Sequence, residues 1–168
     1  MSLDQFYVYP VFDKKGQNMN ERYLCSLTAW PIYVIAISSM TMGLAWIFAP
    51  QPWLLDKWAN EILLGSSYNT LLALPGNEEL VPYLKGLYSF FGLWIFAFGL
   101  MVFLYVKITG LKTKRTSTPL YGTLAIILVV TYMLQLTYIP SSHFLWVSHG
   151  FFVAIIVSLL ASRRLRTG

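Results

Sequence analysis

A few polar residues interrupt the long apolar stretches of this chain, and they are the residues whose types and positions could do chemistry. Lys85, Gln135 and His149 each lie within about two helical turns of the end of an apolar stretch. Thr131 and Tyr138 lie four residues before and three residues after Gln135, which places them beside it on a helix. Polar and ionisable groups inside a membrane are costly and usually face a bundle interior or a cavity. We therefore expect these five residues to line a ligand-binding pocket that opens towards the outer face of the membrane.

A structural alternative stays open, in which the same side chains only hydrogen-bond between helices or reach the lipid headgroups. If the pocket is catalytic, His149 is the leading candidate, because an imidazole ordinarily titrates near neutrality and can both donate and accept a proton. Glu78 or Glu79 would then lend a proton from a loop. Asp56 and Glu61 are further loop carboxylates, for which contact with solvent is the default expectation. The sequence identifies no catalytic residue beyond these candidates.

The sequence lacks the residues that a metal site or a redox-active thiol pair needs. Cys25 is the single cysteine, which excludes an internal disulfide and a CxxC motif. His143 and His149 are the only histidines, and their spacing separates them by about 120° on a helix, so they cannot sandwich a haem by themselves. A haem held by a histidine and a methionine such as Met133 stays formally open. Metalloprotease, phosphate-loop and nucleophile-elbow motifs are absent, so we expect no metal site and find no support for a hydrolase or an ATPase.

The composition is that of a membrane protein. Of the 168 residues 57% are hydrophobic and only 11% are charged, which lies far from the average of soluble domains. The net charge of +5 comes from cations at the ends of apolar segments rather than from one basic face, so a nucleic-acid partner is not expected. We expect membrane lipids as partners, together with other membrane subunits or a second copy of the chain.

Hydropathy predicts one all-α transmembrane domain, a four-helix bundle over residues 1–168. Stretches of about twenty apolar residues are long enough to span a bilayer. The predicted spans are residues 27–49, 83–106, 119–139 and 144–161, with tails at 1–26 and 162–168. Pro31 is expected in the first turn or so of the first span, where proline is best tolerated.

The long connection after Pro50 contains an amphipathic segment at residues 53–64. Its leucines, Trp58 and Ile62 gather on one side, and its charged residues and Asn60 take the other. A helix of this kind lies in the membrane interface rather than crossing it. Gly65 follows as its expected C-terminal stop.

Small residues recur at helical spacing along three of the predicted spans. Ser89, Gly92 and Gly99 share one stripe of the second span, and Ser39 with Gly43 form a small pair in the first. The fourth span repeats small residues at 150, 154 and 158. Because small residues allow close helix approach in lipid, we expect the second span to be the central packing surface.

The distribution of lysine and arginine predicts the orientation. Ten of the twelve lie in the N-terminal tail, the middle loop or the C-terminal tail, whereas Lys57 and Lys85 lie on the opposite side. The positive-inside rule then places both termini in the cytoplasm of a cell whose inner (plasma) membrane holds the protein. The first residues lack the pattern of a signal peptide, and their aromatic residues favour docking on the membrane surface or on a partner.

The second predicted span also carries a family resemblance. It begins with Lys85-Gly86-Leu87 and continues with Phe91-Gly92-Leu93 and Phe98-Gly99-Leu100. With a proline-closed first span, a long first connection and cytoplasmic termini, this pattern resembles the DoxX-like group of small bacterial membrane proteins, although Lys85 stands where an arginine is expected. The resemblance implies a four-helix bundle and, for some relatives, a role beside quinone-linked or redox partners.

Two functions fit these features. The first is a non-catalytic integral-membrane subunit that packs against a larger membrane complex and holds a lipid or a quinone. The alternative is a small membrane enzyme, an oxidoreductase or isomerase that acts on an apolar quinone, sterol or isoprenoid. Neither function points to a particular cofactor, and a bound lipid or quinone is the candidate.

Overall fold

The protein is an all-α membrane protein built as a four-helix bundle, as predicted. The computed structural model describes residues 19–167, and within this range four helices are long and apolar enough to cross a membrane. Many large apolar side chains on these helices are more than half exposed, including Met101, Ile126 and Val153, as lipid-facing positions require. The helices are α1 (Met19–Phe48), α2 (Lys57–Leu64), α3 (Tyr68–Leu72), α4 (Leu80–Thr109), α5 (Lys114–Tyr138) and α6 (Phe144–Thr167), and a 3₁₀ turn at Pro52–Asp56 precedes α2.

The long helices extend beyond the predicted spans. α1 begins at Met19 rather than at residue 27, so Pro31 lies well inside the helix and not in its first turn. α6 continues to Thr167, past the predicted end at residue 161. Hydropathy marks only the apolar part of a helix, whereas the helix itself continues as long as its backbone hydrogen bonds are made. The aromatic residues of the N-terminal tail lie outside the described residues.

α1 is the central helix of the bundle. It packs against both α4 and α6, and α5 packs against α6. α4 and α5, although consecutive, do not pack against each other along their lengths. The prediction that residues 83–106 form the central packing surface was therefore wrong, because the small residues of α4 serve a single neighbour, α1.

Glycines bring the backbones of α1 and α4 into contact. A β-carbon at Gly43 would lie 2.5 Å from the carbonyl oxygen of Gly92, and one at Gly92 would lie 2.7 Å from that of Gly43. A β-carbon at Gly99 would lie 2.7 Å from the carbonyl oxygen of Ala36. The predicted small-residue stripes of α1 and α4 thus meet each other. Gly150 of α6, in contrast, faces open space.

One end of the bundle, which carries the basic residues of the α4–α5 loop and of the end of α6, is called the basic end below. A buried apolar core fills this half, with the hydroxyl of Tyr121 in α5 donating to that of Ser158 in α6 at 2.7 Å. Ser158 also donates to the carbonyl oxygen of Thr28 in α1, so three helices share one buried polar contact. The core residues are Ile32, Ile35, Ala36, Val102, Val106, Leu111, Tyr121, Leu124, Leu128 and Ile155.

The 3₁₀ turn, α2 and α3 fold over the other end, called the capped end below. Trp53 and Tyr68 are buried there, with ring centroids 6.5 Å apart. Gly65 ends α2 in the left-handed conformation, at a φ of 63°, as predicted. Trp58 and Ile62 on the apolar side of α2 are exposed, at 72% and 53%, which is the arrangement that an interfacial helix requires.

A candidate binding cavity within the bundle

A cavity of about 340 Å³ lies between the helices in the half of the bundle nearer the capped end. All four long helices contribute to its wall, and the 3₁₀ turn and α2 close it at the capped end. The helix arrangement explains the space, since α4 and α5 stand on opposite sides of the cavity with few close backbone approaches between them. Its volume falls within the range of ordinary small-molecule sites.

The end of the cavity nearer the basic end is apolar. Ile35, Leu124, Leu128 and Ile155 line it, and all four also belong to the buried core. The lining runs from Leu124 of α5 to Ile139, the residue directly after this helix, a rise of about 22 Å at 1.5 Å per residue. The cavity is therefore long enough for the apolar part of a lipid-like molecule.

The capped end of the cavity holds a carboxylate. Asp56 lines the cavity with its side chain only 11% exposed. The hydroxyl of Ser142 donates to one of its oxygens, and Nδ1 of His143 lies 3.2 Å from the other. Ser142 is itself fixed by the backbone N–H of Phe144, which donates to its hydroxyl at 3.1 Å. The short α5–α6 turn thus anchors a charged residue that the 3₁₀ turn brings over the bundle.

Amide and phenol groups surround this carboxylate. Asn60, one turn beyond Asp56, lines the cavity and donates from Nδ2 to the hydroxyl of Tyr88 at 3.3 Å. Burial raises the pKa of Tyr68, and Tyr88 and Glu61 raise it further to a smaller extent. Tyr68 therefore stays protonated at physiological pH and supports this group as a neutral phenol.

A second polar pair lies farther along the wall. The hydroxyl of Ser148 in α6 donates to Oε1 of Gln135 in α5 at 2.7 Å, and both residues line the cavity. Among the described residues nothing accepts a hydrogen bond from the amide nitrogen of Gln135. This donor is therefore available to a ligand.

Three aromatic rings stand beside the carboxylate. Trp46 lies 5.8 Å from Tyr88 and 6.2 Å from Phe144, measured between ring centroids, and both pairs are close to perpendicular, at 85° and 89°. All three residues line the cavity. The capped end of the cavity is therefore walled by rings that meet edge to face.

Comparison of the chain with protein-family models, with curated proteins and with solved structures finds no match. The cavity must therefore be interpreted from its own chemistry. Over residues 19–167, no three histidine, cysteine, aspartate or glutamate side chains gather in a way that could hold a metal ion.

The structure places two of the five predicted site residues at the cavity. Thr131 and Gln135 line it. Lys85 and Tyr138 are exposed and are not part of the lining, so the structure does not bring them to the other two.

His149 also lies outside the cavity. Its Nε2 is 3.2 Å from the hydroxyl of Tyr132, its Nδ1 is 2.7 Å from the carbonyl oxygen of Leu145, and its ring lies beside Trp146. These contacts join α5 to α6 on the exposed side of the bundle. They match the structural alternative, in which polar side chains bond between helices.

The sequence did not single out Asp56, Asn60, Tyr88 or Ser148 as pocket residues. The signal for the first two was present, since they lie four residues apart on the polar side of the amphipathic segment. That polar side was expected to face solvent, but in the structure Asp56 and Asn60 face the helix bundle and line the cavity. Glu78, the other proposed acid, is exposed in the loop, where its own backbone N–H and that of Gly76 lower its pKa.

Proposed function

We propose that this chain is an integral membrane protein that binds an apolar molecule carrying one polar group. The observation that carries the proposal is the cavity of about 340 Å³, which is apolar along most of its length and has a carboxylate at one end. Such a ligand places its polar group near Asp56 and its apolar part along α5. Membrane lipids and quinones belong to this class, as the sequence predicts.

The ligand enters from the lipid between α4 and α5. These two helices make few close backbone approaches, and Ile127 of α5 lines the cavity while the residue is 41% exposed. An opening at this position faces the hydrocarbon region, where apolar molecules are already concentrated. No passage through water is needed.

The orientation of the protein in the membrane is part of the same proposal. We place the basic end in the cytoplasm and the capped end outside, because the positive-inside rule favours it. Two further points stay predictions. One is that the protein joins a larger membrane complex or associates with itself, and the other is that it is related to the DoxX-like group. Co-purification from native membranes tests the first of these.

Photo-cross-linking tests the proposed binding. We expect a long-chain alcohol with a diazirine in its chain to label cavity residues of the purified protein saturably, and an excess of unlabelled alcohol to prevent it. Thr131→Phe fills the cavity and should reduce the labelling at least about tenfold. Val130→Phe is the matched control, because Val130 is 51% exposed and does not line the cavity. Labelling that is non-saturable, or equal in both variants, would refute the proposal.

A second candidate function, a small membrane enzyme, is favoured by the contact between Asp56 and His143. The carboxylate lines the cavity, whereas the His143 side chain is 60% exposed, so the pair joins the cavity to solvent. A general base for an apolar substrate needs such a proton route. Incubation with native lipid extract followed by mass spectrometry should reveal a product that Asp56→Asn fails to form. The same lipid profile in both samples would exclude the enzyme.

A further inference from the structure

We propose that the capped end of the cavity recognises a positively charged ammonium group, so that the ligand is an alkylammonium amphiphile. This inference rests on the proposed function, since it assumes that the cavity binds an apolar molecule. It goes further by assigning the charge of the polar group. Three features of the lining support it, namely its charge, its aromatic rings and its free acceptors.

The charge of the lining is negative. Among the described residues, Asp56 is the only charged side chain that lines the cavity. Lys85 lies outside the lining, as does Lys57, which is engaged with Glu61 at 3.8 Å. A carboxylate with little access to water interacts more strongly with a cation than a solvated one does. The site thus favours cations and repels anions.

The existing contacts of Asp56 leave room for a ligand. A carboxylate offers about four lone-pair positions. Ser142 uses one of them and His143 another, and both approach from the α5–α6 turn. Because Asp56 also lines the cavity, its carboxylate can attract a positive charge inside it, and its remaining positions can accept a hydrogen bond where the ammonium carries an N–H.

The aromatic rings suit an ammonium group. A cation is attracted to the face of a tryptophan, tyrosine or phenylalanine ring, and quaternary ammonium groups are commonly bound between such rings. Trp46, Tyr88 and Phe144 line the same end of the cavity as Asp56. The near-perpendicular pairs give walls in two directions, which a tetrahedral ammonium can contact at once.

The same lining disfavours the other polar groups considered for this site. A fatty acid or a phosphate would face Asp56 with no lysine or arginine of the lining to pair with it. A quinone brings only carbonyl acceptors, and it would have to turn them from the carboxylate towards Asn60 and Gln135. A zwitterionic choline lipid supplies the ammonium but leaves its phosphate unpaired, so a simple alkylammonium should bind more tightly.

Competition against the photoreactive alcohol tests this assignment. Unlabelled competitors of one chain length carry a trimethylammonium, a hydroxyl, a carboxylate or a lysophosphocholine head, in micelles of an uncharged maltoside detergent. We expect the trimethylammonium to compete at a concentration at least about tenfold below the alcohol, and the carboxylate above it. The lysophosphocholine should fall between the trimethylammonium and the alcohol. If it competes best, the ligand is a choline lipid and the simple alkylammonium is overturned as the preferred form.

Substitution of Asp56 is the decisive part of this experiment. Asp56→Asn keeps the shape of the side chain and should bring the trimethylammonium to within about threefold of the alcohol. Glu79→Gln removes a carboxylate from the exposed loop and should leave the preference unchanged, which controls for attraction to the protein surface. If Asp56→Asn does not fold, Trp46→Leu replaces it, with the expected loss of about threefold or more in ammonium preference.

The outcomes separate this inference from the proposed function. If the alcohol labels the cavity saturably but the ammonium has no advantage, or if Asp56→Asn retains the advantage, the inference is overturned while the proposed function stands. If no probe labels the cavity saturably, both fail.

Discussion

The two sides of α4 differ sharply in how they meet the rest of the bundle. On one side α4 touches α1 so closely that Gly43 and Gly92 have no space for a methyl group. Towards α5 the backbone of α4 makes few close approaches, and the cavity lies between the two helices in the half nearer the capped end. They meet near the basic end, where the hydroxyl of Tyr105 donates to the carbonyl oxygen of Thr116. Gly122 of α5 has nothing within 4 Å of the position of a β-carbon. Small residues are therefore not enough for a close interface, which needs small residues on both helices at the same height.

This difference has an energetic consequence in lipid. Helices gain little from the hydrophobic effect once they are in a membrane, so close van der Waals packing must hold them together. The α1–α4 contact supplies that packing and should carry much of the stability. The cavity side contributes little and is free to serve a ligand. Substitutions on the two sides should therefore have unequal effects.

The largest expected effect is at the glycine contact. Gly43→Ala would place a methyl group 2.5 Å from a backbone oxygen and 2.6 Å from a backbone nitrogen of α4, and neither atom can move alone. We expect a loss of about 2–3 kcal/mol in the free energy of unfolding. Unfolding in mixed micelles of increasing denaturing detergent measures it.

Gly122→Ala is the matched substitution at an exposed glycine of α5, away from the α1–α4 contact. Nothing opposes the added methyl group, and alanine is the better helix former, so stability should be unchanged or rise by up to about 1 kcal/mol. Equal losses in the two variants would mean that the α1–α4 contact is no more demanding than the rest of the bundle.

Tyr68 at the capped end should make the free energy of unfolding depend on pH, with an effect smaller than that of Gly43→Ala. An exposed tyrosine ionises near pH 10, and burial raises the pKa of Tyr68 above that value. Above about pH 10 the unfolded chain loses a proton that the folded protein retains, so the free energy of unfolding falls as pH rises. The slope is at most about 1.4 kcal/mol per pH unit, and it ends where folded Tyr68 ionises.

Tyr68→Phe should reduce this slope, as measured by thermal unfolding across the alkaline range. Tyr83→Phe is the control, because its side chain is 63% exposed and its removal should leave the slope intact. A slope that is unchanged without Tyr68 would contradict the assignment to this residue.

Composition and periodicity were sufficient to predict much of this architecture. Long apolar stretches have few alternatives to membrane-spanning helices, and glycines at matched heights in two helices predict a close contact. The choice of neighbour could not be predicted, because the stripe of α4 does not state which helix it meets. α1 carries its own small residues at positions 39 and 43 and became the partner.

The site was less predictable than the fold. Thr131 and Gln135 were found because polarity within an apolar helix is visible in the sequence. Asp56 was not, because its carboxylate precedes α2 in a loop segment and only the docking of that segment turns it inward. His149 illustrates the reverse case, since depth in a helix does not determine which side of the helix the residue occupies.

The smallest expected effect separates two polar contacts between α5 and α6. Tyr121 bonds to Ser158 in the buried core, at 6% exposure, whereas Tyr132 bonds to His149 on the exposed surface. Hydrogen bonds between membrane helices contribute about 0.6 kcal/mol on average and at most about 1.7 kcal/mol. Tyr121→Phe should cost towards the upper value, because Ser158 also bonds to Thr28 and so joins a third helix. Tyr132→Phe should cost less, because this contact joins only α5 to α6 and the imidazole of His149 keeps its contact with the carbonyl oxygen of Leu145. The same detergent titration measures both free energies of unfolding. An equal or larger loss for Tyr132→Phe would mean that the buried contact near the basic end adds no more stability than the exposed one.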